Sequence, residues 1–271
     1  MEIEFKDVTF GYHGGHNVLE NINLKIEGPG LVCIIGPNGV GKSTLVKMIN
    51  KLLKPTKGEV YIEGKPTSEM SQKDIAEYVG FVPAGTMDVF SMTVIDTVLI
   101  GRHNKSKWKT TKRDLEVVHR VLDMLDLSDL SMRGFNELSA GQHQRVALAR
   151  GLAMETPAII LDEPTSNLDV KHQVYVTELL RAIAVQQNKL VIMICHDLNI
   201  AARYSHQIIV LNKPGVVYKV GEPNDVMTEE TIRDVYGIDC KVIDYDDSPH
   251  VILKSAFDDD TMADAEQEAE S

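Results

Sequence analysis

The feature that most constrains this chain is the run GPNGVGKST at residues 36–44, because of what stands on either side of it. Residues 31–35 are continuously apolar, which is typical of a strand buried on both faces of a sheet. The run fits the pattern G-x-x-x-x-G-K-[ST], in which backbone N–H groups of a glycine-rich turn surround phosphate oxygens. A helix predicted to begin near Gly41 would point free N–H groups and its positive dipole end at the same anion. The sequence therefore predicts a strand, a phosphate-binding loop and a helix within an α/β fold.

The loop carries the residue types that nucleotide phosphates and magnesium require. Lys42 is expected to reach the β and γ phosphate oxygens, and the Ser43 hydroxyl is expected to bind Mg²⁺. The other ATP contacts predicted within the run are Asn38, Gly39, Gly41 and Thr44. Taken alone, the run indicates only that a phosphate is bound, because many unrelated nucleotide triphosphatases share it.

Composition limits the partners of such a fold. With 271 residues, of which 43% are hydrophobic and 25% charged, the chain is long enough for one large α/β domain or a core with a sub-domain. Its formal net charge of −12 disfavours nonspecific binding to nucleic acid or to an anionic lipid surface. Apolar runs such as residues 190–194 are far shorter than the roughly 18 residues of a spanning helix. We therefore expect no nucleic-acid partner and no direct lipid insertion.

The cysteines and the first residues favour a cytoplasmic location. Cys33, Cys195 and Cys240 are odd in number and widely spaced, which fits neither a disulfide framework nor a zinc site. We expect reduced, buried thiols at these positions. The chain begins MEIE, which is acidic and lacks the apolar segment of a secretory signal.

Alternation of apolar and polar residues predicts an antiparallel sheet near the start of the chain. Residues 3–10 and 18–26 alternate on either side of the loop 13–16, as two paired strands with one solvated face would. Residues 45–53 are predicted to form a helix, after which residues 59–62 rejoin the antiparallel sheet.

Continuous apolar runs predict further parallel strands in the second half. Residues 158–161 and 190–194 are such runs, and an amphipathic helix at 170–185 would connect them by a crossover. The core is therefore expected to be doubly wound α/β.

The segment between these regions has a helical pattern. We predict it to be helical from Phe81 to Met154, most clearly at residues 93–100 and 114–125. Beyond Gly237, a strand pair is expected near residues 241–243 and 251–253.

Two carboxylates follow the predicted strand at 158–161. Carboxyl ends of parallel strands form the ligand-binding edge of an α/β sheet, so Asp162 is expected to hold Mg²⁺. Glu163 comes next and is a candidate general base. Ordinary solvated carboxylates are the alternative, and the phosphate loop upstream disfavours it.

Other candidate residues each have a structural alternative. Ser139 and Gln142 have the spacing of a capping box, which predicts a helix start that could present N–H groups to an anion or act as a cap alone. His196 follows the strand at 190–194 and could be structural. Asp169 could be the N-cap of a helix beginning at Val170.

The order of the motifs carries a family resemblance. After the phosphate loop come LSAGQ at 138–142, ILDEP at 160–164, SNLD at 166–169 and HD at 196–197. This order resembles the ATP-hydrolysing subunit of an ABC transporter, with Ala140 in place of the usual first glycine of the signature sequence. The resemblance covers roughly residues 1–240.

The resemblance implies a fold and a division of the chain. We expect a P-loop NTPase core of ABC ATPase type with an antiparallel β sub-domain and an inserted helical sub-domain. The predicted division is an ABC ATPase domain at residues 1–237 with its helical insertion at about 84–155, a strand pair at 238–257 and an acidic disordered tail at 258–271.

The resemblance also implies roles and partners. Glu163 would activate the attacking water, His196 would contact the γ-phosphate, and Asp169 would communicate across a dimer.

Signature residues Ser139, Gly141 and Gln142 would contact ATP bound to the other subunit of a head-to-tail homodimer. Tyr12 would stack on adenine, although a core tyrosine is the alternative. Integral membrane permease subunits are the implied partners, which would place the chain at the inner face of the cell membrane.

Residues 90–102 are similar to importers of iron-siderophores, haem and vitamin B12, through the run F-x-x-T-V-x-D-x-V-x-x-G-R. A soluble ABC ATPase of the iron–sulfur-assembly kind and an exporter subunit remain alternatives. One residue departs from the family pattern: after Gly80 to Pro83 the family places a glutamine, and here Ala84 stands in its place.

Overall fold

The computed structural model describes residues 1–12, 15–85, 92–103 and 110–254. The strands of this part are β1 (Glu2–Gly11), β2 (Asn17–Glu27), β3 (Gly30–Ile35), β4 (Lys57–Ile62), β5 (Lys65–Pro66), β6 (Val79–Val82), β7 (Ala158–Leu161), β8 (Leu190–Ile194), β9 (Gln207–Asn212), β10 (Val216–Gly221), β11 (Cys240–Asp244) and β12 (Pro249–Leu253). The α-helices are α1 (Lys42–Ile49), α2 (Gln72–Tyr78), α3 (Val94–Leu99), α4 (Lys112–Met124), α5 (Ala140–Ala153), α6 (Val170–Gln186), α7 (Leu198–Tyr204), α8 (Pro223–Val226) and α9 (Glu229–Tyr236).

A six-stranded sheet in the order β10-β9-β3-β8-β7-β6 forms the centre of the fold. Its strands β6, β7, β8, β3 and β9 are parallel, and β10 is antiparallel to β9. Every residue of β3, β7 and β8 is buried, as their continuous apolar sequences predict. Because these strands are adjacent and parallel, the residues that follow them meet at one edge of the sheet.

An antiparallel sheet in the order β2-β1-β4-β5 packs beside the phosphate-loop helix, as predicted. Alternate residues of β1 are buried, and Ile3 and Phe5 belong to one core cluster with Leu45 and Met48 of α1. Helix α1 ends at Ile49, earlier than the predicted end at residue 53. This apolar packing holds α1, which follows the phosphate loop, against the antiparallel sheet.

The segment predicted to be helical from Phe81 to Met154 begins with a strand instead. Phe81 and Val82 lie in β6, a strand of four residues that pairs with β7 at the edge of the sheet. A Cβ at Gly80 would come within 2.9 Å of the Thr156 hydroxyl oxygen, so β6 approaches the end of α5 closely. Helices α3, α4 and α5 do follow, and they pack on one another through the apolar cluster that includes Val98, Val118 and Val146.

The predicted strand pair near the end of the chain is present as β11 and β12, which are antiparallel. Cys33, Cys195 and Cys240 are free and buried, as expected. In the described ranges, none of the helices combines the length and hydropathy needed to cross a bilayer. The predicted tail at 258–271 lies outside the described residues, as does part of the predicted loop at 13–16. The division into domains stays a prediction.

Candidate active site

The phosphate loop connects β3 to α1 through residues with positive φ. Gly36 has φ of 145° and Gly41, the N-cap of α1, has φ of 103°. A Cβ at Gly36 would lie 2.4 Å from the Leu211 carbonyl oxygen, so a larger residue cannot leave β3 in this direction. Asn38 and Gly39 form the exposed tip of the loop. The loop and the N-terminus of α1 thus form the turn that the sequence predicts.

Lys42 lies inside this turn. Its Nζ donates to the carbonyl oxygens of Gly36 at 2.7 Å and Pro37 at 2.9 Å. Burial lowers the pKa of its ammonium group, while the nearby carboxylates of Glu163 and Asp162 act in the opposite direction. A buried cation within a phosphate loop is suited to binding phosphate oxygens.

Asp162 and Ser43 meet at the end of β7. The Ser43 hydroxyl donates to Asp162 Oδ1 at 2.9 Å, and Asp162 is 2% exposed. Burial raises the pKa of the Asp162 carboxyl, the Ser43 hydrogen bond lowers it, and the charge of Glu163 raises it. A buried carboxylate beside a hydroxyl is a pair of hard oxygen donors, and Mg²⁺ binds such a pair together with water and phosphate oxygens. The residues present therefore fit Mg²⁺.

Glu163 and His196 form a second pair at the same edge. Nε2 of His196 lies 2.6 Å from Oε1 of Glu163. The side chain of Glu163 is 30% exposed and that of His196 is 44% exposed, so solvent reaches both. Glu163 has φ of 54°, a left-handed backbone conformation that is uncommon for a residue with a side chain. The pair offers a carboxylate that could hold and deprotonate a water molecule.

The backbone of Glu163 is held by the side chains of Gln144 and Ser166, neither of which is among the predicted site residues. Its carbonyl oxygen accepts hydrogen bonds from Gln144 Nε2 at 3.3 Å and from the Ser166 hydroxyl at 3.1 Å. Gln144 is a buried polar residue on the inner face of α5, two positions after the signature sequence. No periodicity or spacing marks such a residue, because its role depends on which loop packs against the helix.

Ser139 and Gln142 form the predicted capping box at the start of α5. Gln142 N–H donates to Ser139 Oγ at 3.3 Å, and Ser139 N–H donates to Gln142 Oε1 at 2.9 Å. Ser139 is exposed, whereas Gly141 packs against the loop after β7. A Cβ at Gly141 would lie 3.4 Å from the Asn167 carbonyl oxygen. Among the described residues, the hydrogen bonds of Ser139 and Gln142 join them to each other rather than to the phosphate loop.

Asp169 is the N-cap of α6, as the alternative interpretation predicts. It accepts a hydrogen bond from His172 N–H at 2.9 Å, and its oxygens also contact His172 Nδ1. The His172 amide and imidazole lower the pKa of this carboxyl. Its side chain is 67% exposed, so it remains available to a partner.

Tyr12 is not a core tyrosine, because it is 51% exposed. Its ring packs edge-on against Phe10 with centroids 5.0 Å apart. Its hydroxyl lies 3.4 Å from the Thr44 hydroxyl in α1, so the ring stands beside the phosphate loop. Ala84 is exposed just after β6.

The edge of the sheet thus brings together Lys42, Ser43, Asp162, Glu163 and His196, and it leaves Ser139, Gln142 and Asp169 on exposed helix starts. A phosphate loop, a buried strand-end carboxylate and a solvent-accessible glutamate define a P-loop nucleotide-binding domain.

Comparisons with known proteins identify the family. A sequence model of the ABC transporter family matches residues 19–166, which is more than half of the chain. An uncharacterised ABC transporter ATP-binding protein of Methanocaldococcus jannaschii is 41% identical over 242 residues, covering 89% of this chain and 94% of the relative. The iron(3+)-hydroxamate import ATP-binding protein of Bacillus subtilis is 35% identical over 88% of each chain. The chain therefore belongs to the ABC transporter family, and it is an ATP-binding subunit with the ATPase fold of that family.

Solved structures agree with this assignment. An inward-facing ABC transporter of the metal-chelate type matches with a TM-score of 0.79 and 28% identity, covering 94% of this chain and 97% of that one. A dimeric ATP-binding cassette bound to ADP and phosphate matches with a TM-score of 0.74 and 33% identity, covering 82% of this chain and 98% of that one.

Proposed function

We propose that this chain hydrolyses ATP to drive a separate membrane permease that imports an iron chelate, haem or cobalamin. Relatives named for iron(3+)-hydroxamate, ferric enterobactin and cobalamin support the substrate class, at 33–36% identity. The metal-chelate-type transporter among the structural neighbours supports the same class. The chain is then peripheral at the inner face of the membrane and contacts lipid only through the permease.

The observation that carries the hydrolytic part is the pairing of Glu163 with His196 beside the pair formed by Asp162 and Ser43. Lys42 binds the β and γ phosphate oxygens of ATP. Water attacks the γ-phosphorus in line, the bond to the β-phosphate oxygen breaks, and a proton of the water passes to Glu163. His196 keeps the Glu163 carboxylate directed at that water.

Asp162 and the Ser43 hydroxyl would hold Mg²⁺, because their oxygen atoms lie together at the end of β7. When bound, Mg²⁺ neutralises charge on the phosphate oxygens. Asn38, Gly39, Gly41 and Thr44 supply the loop contacts, and Tyr12 stacks on adenine from its exposed position beside Thr44.

The composite site needs a second copy of the chain. Ser139, Gly141 and Gln142 stand at an exposed helix start, where N–H groups and a hydroxyl can bind an anion. We propose that this anion is the γ-phosphate of ATP on the partner, in a head-to-tail homodimer with Asp169 at the contact between subunits. The dimeric cassette with ADP and phosphate among the structural neighbours supports this arrangement.

The dimer is tested by Glu163→Gln in size-exclusion chromatography with ATP and Mg²⁺. Loss of the water-activating carboxylate is expected to slow hydrolysis by at least about 10²-fold while leaving binding intact. The variant should therefore elute as a nucleotide-trapped dimer, whereas wild type returns to monomer as ATP is consumed. A variant that stays monomeric throughout would contradict the composite site.

The permease partner is tested by affinity purification of the tagged chain from detergent-solubilised membranes. We expect a polytopic membrane protein to co-purify, and a transport assay with a candidate iron chelate then separates import from export. Recovery of soluble partners alone would favour the soluble ATPase alternative.

A further inference from the structure

A hydrogen bond joins the signature helix to the backbone of the proposed catalytic carboxylate. Gln144 lies in the second turn of α5 and is 3% exposed, so its amide is shielded from water. Its Nε2 donates to the carbonyl oxygen of Glu163 at 3.3 Å. The hydroxyl of Ser166 donates to the same oxygen at 3.1 Å from within the loop. The peptide that follows Glu163 is therefore held both from α5 and from its own turn.

This peptide needs support from its surroundings. Glu163 has φ of 54°, a left-handed conformation that is unfavourable for a non-glycine residue. The rotation of the backbone at this residue sets the direction of the side chain that reaches His196. Loss of a donor at the carbonyl would let the peptide turn and would move the carboxylate.

The same helix also carries the exposed signature residues. Ser139 begins α5, and Gly141 packs against the loop that runs from Glu163 to α6, since a Cβ there would lie 3.4 Å from the Asn167 carbonyl oxygen. Gln173 of α6 holds that loop from the opposite side by donating to the Thr165 and Leu168 carbonyl oxygens at 3.2 and 3.0 Å. Any shift of α5 relative to α6 therefore acts on this loop.

We propose that Gln144 is a positioning residue that orients Glu163 and makes that orientation depend on the position of α5. The inference rests on the proposed function, because it takes Glu163 as the water-activating group and Ser139 as a contact to ATP on the partner. On this proposal, ATP bound to the partner contacts the start of α5 in this chain. That contact then adjusts Glu163 of this chain, which acts on the ATP bound to this chain's own phosphate loop. The hydrolysis rate at one site then responds to occupancy of the other.

The test compares two substitutions on adjacent residues of α5. Gln144→Met keeps the side-chain volume and removes the donor. Arg145→Ala is the matched control, because Arg145 Nη1 donates to the Leu125 and Asp126 carbonyl oxygens at 3.1 and 3.3 Å. Within the described ranges, its hydrogen bonds do not reach Glu163. Both variants are assayed as the permease complex for kcat, KM, ATP affinity and melting temperature.

For Gln144→Met we expect kcat to fall on the order of 10-fold, since small misplacement of a catalytic group has effects of this size or larger. ATP affinity should change by less than about two-fold, because the donor does not touch the phosphate loop. Arg145→Ala should retain the wild-type kcat. An equal loss of kcat and affinity in Gln144→Met, or the same fall in kcat from Arg145→Ala, would overturn the proposal.

A double-mutant cycle asks whether Gln144 acts through Glu163. In single-turnover phosphate release, adding Gln144→Met to Glu163→Gln should lower the residual rate by less than about two-fold. A full second reduction would show that Gln144 acts elsewhere. If Glu163→Gln itself hydrolyses at the wild-type rate, the proposed role of Glu163 and this inference both fail. If Glu163→Gln is inactive while Gln144→Met keeps the wild-type kcat, only this inference fails.

Discussion

At the residue scale, Lys42 is the side chain whose loss should act on binding itself. Its Nζ lies within the phosphate loop, so Lys42→Ala removes the cation that the phosphates would contact. A charge-assisted bond to phosphate contributes about 1.5–3 kcal/mol, which predicts ATP affinity lower by about 10-fold or more. Equilibrium binding of labelled ATP to the isolated subunit measures this. Lys73→Ala, at an exposed position of α2, is the control and should bind as wild type does.

Ala84 is a second residue whose substitution we expect to change ATPase activity. It lies exposed after β6, where the family pattern places a glutamine that contacts the Mg²⁺ and water region. A methyl group donates and accepts no hydrogen bond, whereas Lys42, Ser43 and Asp162 still provide for binding. We expect Ala84→Gln to raise permease-stimulated ATPase activity by several-fold, with ATP affinity changed far less. Stimulated turnover that is equal or lower in Ala84→Gln would show that another contact serves here.

How well single residues could be predicted depends on how local their role is. Lys42 and Ser43 belong to a run whose spacing alone defines the turn. Ser43 and Asp162 follow β3 and β7, two parallel strands whose carboxyl ends lie at the same edge of the sheet. Gln144 could not be predicted, because its partner is a main-chain carbonyl brought to it by packing. The positive φ of Glu163 was equally hidden, since no glycine marks it.

At the scale of elements, the start of β3 is joined to the loop before β9 by a histidine. Leu31 N–H donates to His206 Nδ1 at 3.0 Å, which requires that nitrogen to be unprotonated. Partial burial, then the charge of Arg181, lower the pKa of His206 below its usual value. The folded state therefore favours the neutral ring. This contribution to stability is complete above roughly pH 6.5 and is lost as the pH falls through the lowered pKa.

The corresponding measurement is urea unfolding of wild type and His206→Gln between neutral and mildly acidic pH. A glutamine keeps an acceptor that does not titrate, so the variant should lose less stability on acidification. The difference should stay below about 1 kcal/mol, because the ring is partly exposed and its charge is screened. Identical pH dependence in both proteins would contradict the role given to His206. Other titrating groups cancel in this comparison.

Elements differ in how far their own sequence determines them. Strands β3, β7 and β8 are continuous apolar runs and were predictable, because burial on both faces requires such a composition. The last two residues of β6, Phe81 and Val82, fall in the segment predicted to be helical. Four residues carry no period, and the conformation of β6 comes from pairing with β7. Helix starts at Ser139 and Asp169 were predictable from capping residues alone.

At the scale of the whole molecule, the groups that we propose to contact ATP differ in their exposure. Lys42 and Asp162 are buried at the edge of the central sheet, and Ser139 is exposed at the start of α5. The fold of one chain could be predicted from its motifs. The pairing of two chains is implied only by the family resemblance and stays a prediction, because no sequence pattern by itself states which exposed helix start meets which loop. The head-to-tail pairing that we propose would place each phosphate loop against the signature helix of the other copy.

This pairing predicts that two variants, each inactive alone, regain ATPase activity when they are mixed. Lys42→Ala removes the phosphate-binding lysine of the loop. Ser139→Arg blocks the signature sequence, because the arginine is larger and the serine hydroxyl is lost. Each variant homodimer therefore has no complete site. In a mixed dimer, the intact phosphate loop of the Ser139→Arg chain faces the intact signature of the Lys42→Ala chain. An equimolar mixture should therefore regain up to about a quarter of the wild-type ATPase sites, since half of the dimers are mixed and each holds one complete site.

The comparison requires that Ser139→Arg still folds and binds nucleotide as a monomer. Loss of the cap costs about 1 kcal/mol, which the melting temperature will register, but the phosphate loop of the same chain is untouched. Monomer ATP affinity should thus match wild type in Ser139→Arg and fall in Lys42→Ala. If each chain instead completed its own site, the mixture would contain no intact site and would stay as inactive as either variant alone. Recovery of activity on mixing therefore separates a site shared between copies from a site contained in one.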